Sequence, residues 1–512
     1  MDGAEQCFRS ERLSIEIKKE QVEDMTTKRR TALAFIAILF VTPVAAQDDV
    51  DRLVAAMLGD TPIISDLQSL TDEVGGRVTG SPANETAIEW ALARFRQAEV
   101  AASRESFEMP YQWQERGVSA SISGEFGFSP AVVAKPFSSG ADALRGPLVD
   151  GGMGTAADFA RLGDRAEGAW VLVETAELND EIGLAGLFGE YSAAAATGPL
   201  ARDAGAAGVV FMSSRPNNLL YRLPMLSAKD QQPILLMERE DAQRAQRLIR
   251  AGRQLEMTAS IDVDSGYSYE STNVIGEILG SERPEEIVLL GAHLDSHDLG
   301  TGALDNGSNV TMLIDIARQI TRLGLKPKRT IRFALWNGEE QGLVGSWRYT
   351  QQHRDELDNH IMAASFDIGT GRLLGFYTGG MGELIPMVNE YLQPVAGLDP
   401  FEHFDVPVVG TDNFDFMMEG VPNLIGHQAD ANYASNYHAG SDTFDKVDQQ
   451  QLKLNSAIVA ALAWGFANSD ERLPRWSRRQ IEALVNSTNL EQQMRDFGVW
   501  EDWAAGRRGR QP

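Results

Sequence analysis

Histidine residues are concentrated in one part of this 512-residue sequence. All seven of them lie between His293 and His438. Five polar segments also lie in this region, most of them directly after an apolar run or before a helical pattern: 291–296, 302–307, 337–342, 365–367 and 437–443. Because functional groups of α/β sheets lie just beyond the carboxyl ends of the strands, these segments can converge at one edge of a sheet.

The residue types in these segments suit a metal centre. The candidate ligands are two imidazoles and three carboxylates: His293, Asp305, one of the pair Glu339 and Glu340, Asp367 and His438. Three carboxylates in one site repel each other, and a bound dication relieves that repulsion. Nitrogen and carboxylate ligands without thiolate suit Zn²⁺, Mn²⁺ or Co²⁺, of which zinc is usual for hydrolysis. Five ligands are too many for one tetrahedral ion, whereas two ions with a bridging carboxylate can use all five.

Strand and helix patterns alternate around these segments. Apolar runs predict strands at 273–279, 286–290, 330–336 and 363–366. Helical spacing of apolar residues predicts helices over 308–323 and 448–466. This alternation is typical of an α/β fold with a mixed, largely parallel central sheet that is flanked by helices.

The preceding part of the chain has a different pattern. Ser81 and Pro82 predict a helix N-cap followed by proline at the first helical position, and residues 105–125 are strand-rich. Between 126 and 265 small residues dominate and histidine is absent. Short apolar runs there predict strands at 170–173, 209–212 and 234–237, and Asp241 is the predicted N-cap of a helix. We interpret this segment as an inserted domain.

These patterns divide the chain into five segments. They are an upstream extension and signal peptide (1–46), the first part of the main domain (47–125), the inserted domain (126–265), the second part of the main domain with the metal site (266–470), and a C-terminal helical tail that packs on the surface (471–512).

The first segment predicts export. Three basic residues, 28–30, precede an apolar stretch that ends in Val44-Ala45-Ala46, which is typical of a signal peptide cleaved after Ala46. The stretch is short for a membrane-spanning helix, so we expect a periplasmic or secreted protein with no stable membrane anchor after cleavage. Met25 is the expected start, and the sole cysteine, Cys7, lies upstream of it.

The overall charge restricts the partners of this protein. The chain has 73 acidic and 46 basic residues, which give a formal net charge of −27. Such a surface repels polyanions, so nucleic acid is not an expected partner.

The order of the site segments resembles a known family. His293-x-Asp295, Asp305-Asn306, Glu339-Glu340, Asp367 and His438 resemble the ligand set of metallopeptidase family 28, the co-catalytic di-zinc exopeptidases. Residues 76–81, 293–296, 339–342, 410–412 and 420–422 are similar to its carboxypeptidase Q branch. Together these segments cover most of 65–470. The inserted segment is similar to protease-associated domains, notably at 204–210.

This resemblance implies two Zn²⁺ ions per chain. One ion would be held by His293 and Asp367, and the other by Glu340 and His438. Asp305 would bridge both ions. The peptide bond that follows this bridging residue is expected to be cis.

The resemblance also implies the roles of two further carboxylates. Glu339, which is not committed to a metal ion, would be the general base. Asp295 would hydrogen-bond the distal nitrogen of His293 and fix its tautomer. A metal-bridging hydroxide would attack the substrate carbonyl.

The implied function is that of an exported, zinc-dependent exopeptidase acting on dipeptides or short peptides, as a homodimer. Two alternatives stay open: a glutaminyl-cyclase-like acyltransferase with one zinc ion, and a non-catalytic binding protein on the same fold. The sequence does not distinguish an aminopeptidase from a dipeptidase or a carboxypeptidase, and it assigns neither Arg77 nor Arg372 to a substrate terminus.

The other histidines are expected to have no role in the site. His297 is predicted to be a solvated loop residue although it looks ligand-like. His427 follows an apolar run and is expected to be structural. The remaining three, His353, His360 and His403, lie in charged segments that are typical of the surface.

Overall fold

The strands of this protein form two sheets. The computed structural model describes residues 44–223, 232–398 and 400–511, so most of the predicted signal peptide, and Cys7 with it, lies outside the described residues. The strands are β1 (Ala101–Met109), β2 (Trp113–Gly124), β3 (Val132–Ala134), β4 (Ala141–Asp150), β5 (Trp170–Val173), β6 (Gly208–Met212), β7 (Ile234–Met237), β8 (Leu255–Ser265), β9 (Tyr269–Ile278), β10 (Arg283–His293), β11 (Arg329–Trp336), β12 (His360–Ser365), β13 (Leu373–Tyr377) and β14 (Asn423–Gln428).

Helices cover both sheets. The α-helices of the described ranges are α1 (Val44–Leu58), α2 (Ile63–Ser69), α3 (Pro82–Gln97), α4 (Ala156–Leu162), α5 (Gly183–Asp203), α6 (Arg239–Arg250), α7 (Ser308–Arg322), α8 (Val344–Gln352), α9 (Leu384–Tyr391), α10 (Asn413–Met418), α11 (Tyr433–Asn436), α12 (Gln449–Asn468), α13 (Arg478–Ser487), α14 (Leu490–Asp496) and α15 (Trp500–Ala504). None of the described helices has the length and apolar character needed to cross a membrane.

The first sheet has the strand order β1-β9-β11-β10-β12-β14-β13. Its four central strands, β11, β10, β12 and β14, are parallel, whereas the strands at both edges are antiparallel. The predicted mixed α/β sheet is confirmed, and its parallel part is confined to the centre.

Strand β10 shows how the parallel centre of this sheet is covered on both faces. Val288 and Leu290 pack in the cluster that includes α3, α7 and α12, whereas Ile287 and Leu289 pack on the other face with residues of α8 and α10. Alternate side chains point to opposite faces of a strand, so a strand that is apolar on both faces must be covered by helices on both faces.

The second sheet contains most of the segment that the sequence predicts as an insertion. Its order is β2-β8-β4-β5-β6-β7-β3. Strand β2 pairs with β8 over its whole length, so this sheet begins at Trp113, earlier than the predicted boundary at 126. In chain order, its last strand is β8, which ends at Ser265. We call residues 113–265 the second lobe; both sheets lie within one compact unit, residues 45–512.

Of the two helix N-caps that the sequence predicts, the structure shows one. Ser81 caps α3, because its hydroxyl accepts a hydrogen bond from the Asn84 N–H group. The predicted cap Asp241 is wrong: the N-cap of α6 is Glu238, three residues earlier, and the Asp241 carboxylate accepts a hydrogen bond from the Ala131 N–H group. Asp241 lies in the first turn of α6, where an acidic residue is also favourable. It therefore marks the start of the helix without capping it.

The C-terminal tail is more deeply packed than the predicted surface segment. Ile481, Leu490 and Met494 are buried in one cluster with Val409 and Met417 of the main domain. The tail is therefore part of the structure that surrounds the candidate site.

Candidate metal centre

The central strands of the first sheet bring the predicted site residues to one edge. Strand β10 ends at His293, Glu339 and Glu340 follow β11, and Asp367 follows β12. His438 lies in the loop after α11, further along the chain from β14. Because these strands are parallel, their carboxyl ends meet at the same edge of the sheet.

Asp305 reaches this edge from a tight turn, Ala303–Gly307, that precedes α7 and whose backbone is non-helical at Asp305 and Asn306. The buried carboxylate of Asp442 accepts hydrogen bonds from the N–H groups of Ala303, Leu304 and Asp305, at 3.1, 2.7 and 3.1 Å. The Asp305–Asn306 peptide bond is cis, as the family resemblance implied. The turn is thus held in place independently of its own carboxylate.

The first group of potential ligands comprises His293, Asp305 and Asp367. The Nε2 atom of His293 lies 3.1 Å from Oδ1 of Asp305 and 2.9 Å from Oδ1 of Asp367. Its Nδ1 atom lies 2.9 Å from the Asp295 carbonyl oxygen, an acceptor that fixes the ring proton on Nδ1. The Nε2 lone pair then faces two carboxylate oxygens, an arrangement that suits a cation.

The second group comprises His297, Glu340 and His438. Oε2 of Glu340 lies 2.9 Å from Nε2 of His297 and 3.0 Å from Nε2 of His438. The Nδ1–H group of His438 donates a hydrogen bond to the Arg222 carbonyl oxygen at 3.2 Å, which leaves Nε2 with its lone pair.

Asp305 lies between the two groups. Its Oδ1 atom faces His293 of the first group, and its Oδ2 atom lies 3.4 Å from Nε2 of His438 in the second. This is the geometry expected of a carboxylate that bridges two ions.

The side-chain atoms of the second group, together with Oδ2 of Asp305, are better placed to bind a metal ion than to hydrogen-bond to each other. Among the described residues, four buried atoms there have no hydrogen-bond partner: His297 Nε2, His438 Nε2, Asp305 Oδ2 and Glu340 Oε1. Buried polar atoms are normally paired, and lone pairs that converge without hydrogens between them are the mark of a ligand set.

Burial and the site carboxylates act in opposite directions on the pKa values of the imidazoles. Burial disfavours the charged imidazole of His438, but Glu340 and Asp305 raise its pKa to about 9. Burial lowers the pKa of His297, which has less compensation from carboxylates. A field that attracts a proton also attracts a dication, and the two compete for the same nitrogen lone pairs.

Glu339 has a different environment from Glu340. It belongs to neither ligand group and lines the adjacent cavity. Burial, together with the nearby carboxylates of Asp367 and Glu340, raises its pKa well above the usual value. A carboxylate with a raised pKa that faces a cavity can accept a proton and return it.

Asp295 contacts the site differently from the prediction. Its carbonyl oxygen, not its carboxylate, pairs with Nδ1 of His293; the nearest carboxylate oxygen is 3.7 Å away. The carboxylate instead accepts a hydrogen bond from the Thr79 hydroxyl at 2.8 Å and faces the N–H groups of Glu339 and Glu340 at 3.4 Å. Asp295 therefore positions the loop that follows β11.

The segment 76–81 braces the same loops. The Thr79 hydroxyl accepts a hydrogen bond from the Gly338 N–H group at 2.8 Å. The buried guanidinium of Arg77 donates hydrogen bonds to the carbonyl oxygens of Leu294, Thr301 and Gly302, at 2.7 to 3.0 Å. Burial lowers the pKa of Arg77 to about 10. With its donors used by the backbone, Arg77 acts as a brace.

A cavity of about 350 Å³ adjoins both ligand groups. One wall is formed by α5 of the second lobe, through Leu187, Phe188 and Tyr191, and another includes Phe497 of the tail. Gly410 and Thr411 also line it. The cavity is apolar except at the edge of the sheet, where the site carboxylates face it.

The prediction for His297 is wrong. Its side chain is 9% exposed and belongs to the second ligand group, not to a solvated loop. In the sequence, only its position four residues after His293, in the same polar loop, indicated a role in the site. His427 packs against Tyr377 and Phe404 and is not among the residues that line the cavity.

The three histidines that lie in charged, surface-like segments of the sequence are all at least half-buried. His360 on β12 is buried, with Nε2 2.9 Å from the Tyr349 hydroxyl, and His403 stacks on Phe376. His353 lies beside Glu105 and Glu356. None of these three is in either ligand group of the described residues.

The fold and the paired ligand groups define a mixed α/β protein with a candidate two-metal centre. The family model of Peptidase family M28 matches residues 273–463, a segment that contains both ligand groups. The resemblance to metallopeptidase family 28 that the motifs predict is confirmed.

Similar proteins support the same relationship. Carboxypeptidase Q of Bos taurus is 34% identical over 239 residues, which are 46% of this chain and 50% of that protein, so the match spans about half of this relative. Probable leucine aminopeptidase 2 of Trichophyton verrucosum is 26% identical over 469 residues, 84% of this chain and 88% of that protein. A crystal structure of a peptidase M28 precursor from Shewanella amazonensis has a TM-score of 0.75 and 27% identity, and the match covers 85% of this chain and 99% of that one.

The brace formed by Thr79 gives a testable prediction. Thr79→Val keeps the shape of the side chain but leaves the buried Asp295 carboxylate without its hydroxyl donor and the Gly338 N–H group without its acceptor. Because buried polar groups would lose their partners, we expect the free energy of unfolding to fall by about 1–3 kcal/mol in urea titrations.

The matched control is Thr86→Val on the exposed face of α3. Its hydroxyl donates only within the helix, so we expect a change below about 0.5 kcal/mol. Equal losses in the two variants would contradict the bracing role of Thr79.

Proposed function

We propose that this protein is an exported, zinc-dependent exopeptidase that hydrolyses dipeptides or short peptides. The observation that carries the proposal is the position of Asp305, whose two carboxylate oxygens face the two ligand groups separately. The family match over 273–463 supports the same class of activity.

The ligand sets favour two Zn²⁺ ions. His293 and Asp367 would hold one ion, Glu340 and His438 the other, and Asp305 both. The candidate ligand atoms are imidazole nitrogens and carboxylate oxygens, and neither group of described residues includes a cysteine thiolate. When bound, two such ions supply a water molecule that is acidic enough to ionise near neutral pH, and they stabilise negative charge on a carbonyl oxygen.

Glu339 would carry the proton in this reaction. It faces the cavity, and its raised pKa suits a group that takes a proton from water and delivers it to the leaving amine. Glu340, its neighbour, has a pKa well below the usual value, because the nearby imidazoles of His297 and His438 outweigh burial. Two adjacent carboxylates thus have environments suited to two different tasks.

The charge of the cavity favours recognition of a substrate amine. Among the described residues, the lining of the cavity contains no Lys or Arg. It contains four carboxylates: Asp305, Glu339, Glu340 and Asp367. A free α-amino group is attracted by such a surface, and a free carboxylate has no basic side chain to pair with. We therefore propose cleavage next to a free amino terminus.

The walls of the cavity favour a small, apolar substrate. Aromatic and aliphatic side chains such as Phe188, Tyr377 and Ile425 dominate the lining. The volume of about 350 Å³ is near the lower end of the range of about 300–1,000 Å³ for small-molecule sites, which suits a dipeptide or the first residues of a short peptide.

Export and a homodimer remain part of this proposal. Export is supported by the basic and apolar pattern that ends at Ala46, and the dimer by the resemblance to the carboxypeptidase Q branch. A glutaminyl-cyclase-like activity would need one zinc ion, and a binding protein none, so a zinc content near two per chain argues against both.

The role of Glu339 is tested by replacing it with its uncharged isostere. Glu339→Gln removes the proton acceptor but no metal ligand, so we expect turnover of leucyl-leucine to fall by about 10²–10⁴-fold while zinc content stays near two per chain. Glu390→Gln, on the exposed end of α9, should change neither quantity. Retention of turnover in Glu339→Gln would refute the general-base assignment.

The terminus that the enzyme recognises is tested with blocked dipeptides. N-acetylation of leucyl-leucine removes the amine that the acidic cavity attracts, so we expect kcat/KM to fall by at least about 100-fold. C-terminal amidation should leave kcat/KM within about tenfold. The reverse pattern would show that the carboxyl terminus is recognised instead.

A further inference from the structure

The second ligand group contains one imidazole more than the family resemblance implies. We propose that His297 is a ligand of the second metal ion, together with His438, Glu340 and the Oδ2 atom of Asp305. This inference rests on the proposed function, which requires that the site holds two ions.

The geometry of His297 distinguishes a metal ligand from a hydrogen-bond donor. Its Nε2 atom lies 2.9 Å from Oε2 of Glu340, yet these atoms are not aligned for a hydrogen bond. The His438 Nε2 atom lies 3.0 Å from the same oxygen and is equally unpaired. The ring centroids are only 4.0 Å apart. Two imidazole nitrogens that lie within 3.0 Å of one carboxylate oxygen, without a hydrogen bond to it, are both placed to bind an ion beside that oxygen.

A small void adjoins these side chains. It has a volume of about 10 Å³, and its lining includes His297, Asp305, Glu340 and His438. This is close to the space of a single water molecule, which also suits one small ion.

The second lobe holds His297 in this position. The buried guanidinium of Arg222 makes two hydrogen bonds of 2.8 Å with the Asp298 carboxylate, directly after His297. The Arg222 carbonyl oxygen accepts the hydrogen bond from His438. A further ion pair with Glu115, at 2.7 Å, anchors Arg222 to β2. One residue therefore sets the positions of both imidazoles, and fork-shaped Arg–carboxylate pairs impose a specific geometry.

With His297 as a sixth ligand, the two ions would have different numbers of protein ligands. The second ion would have four protein ligands, His297, His438, Glu340 and Asp305, whereas the first would have His293, Asp367 and Asp305. Three protein ligands leave a position for water or substrate at the first ion, whereas the fourth protein ligand adds a bond to the second ion, which would be five-coordinate if it shared that water. The second ion should therefore be retained more tightly than the first.

Cobalt substitution of the full-length protein tests the ligand count directly. An imidazole bound to Co²⁺ gives a strongly shifted, solvent-exchangeable N–H signal in proton NMR. We expect three such signals in the Co²⁺-loaded protein and two in His297→Gln. The matched control is His427→Gln, a half-buried histidine outside both groups, which should keep all three. Two signals in the unmodified protein would overturn the proposal.

Zinc retention provides the second measurement. In chelator competition, we expect His297→Gln to bind the more tightly held of its two zinc ions at least about tenfold more weakly, and His427→Gln to be unchanged. Unchanged affinity in His297→Gln would overturn the ligand role. A wild-type content below two zinc ions per chain would instead contradict the proposed function, so the two failures are distinguishable.

Discussion

Repulsion among carboxylates at one buried edge of the first sheet is the constraint on which the site depends. Asp305, Glu339, Glu340 and Asp367 all face one cavity, and burial opposes the charged form of each. Hydrogen bonds from backbone N–H groups to Asp442 and the contacts of Asp295 fix the loops that carry them, so the carboxylates cannot move apart. Two dications are the simplest means of balancing these charges without moving the backbone.

The first sheet and the second lobe make different contributions to this site. Candidate ligands lie at and just beyond the carboxyl ends of the parallel strands of the first sheet, where α/β folds generally carry their functional groups. The second lobe contains no histidine, and it contributes a wall of the cavity through α5 and the orientation of two imidazoles through Arg222. Changes in α5 can therefore alter the shape of the cavity without altering the ligand set.

The sequence predicts the parts of this structure that have a local physical signal. Apolar runs predicted the strands β5 and β7 to the residue, and the polar segments near such runs or before a helix contain the five candidate ligands that the structure brings into two groups. His297 was missed because its burial depends on the pair between Asp298 and Arg222, which are 76 residues apart. The pairing of β2 with β8 was missed for the same reason, since no local pattern encodes which sheet a strand joins.

Anomalous diffraction at the zinc edge from crystals of the zinc-loaded protein tests whether Asp305 joins two metal ions. We expect two peaks about 3.5–4 Å apart, one beside His293 and Asp367 and one beside Glu340 and His438, with Asp305 in contact with both. A single peak, or two peaks that Asp305 does not join, would contradict it.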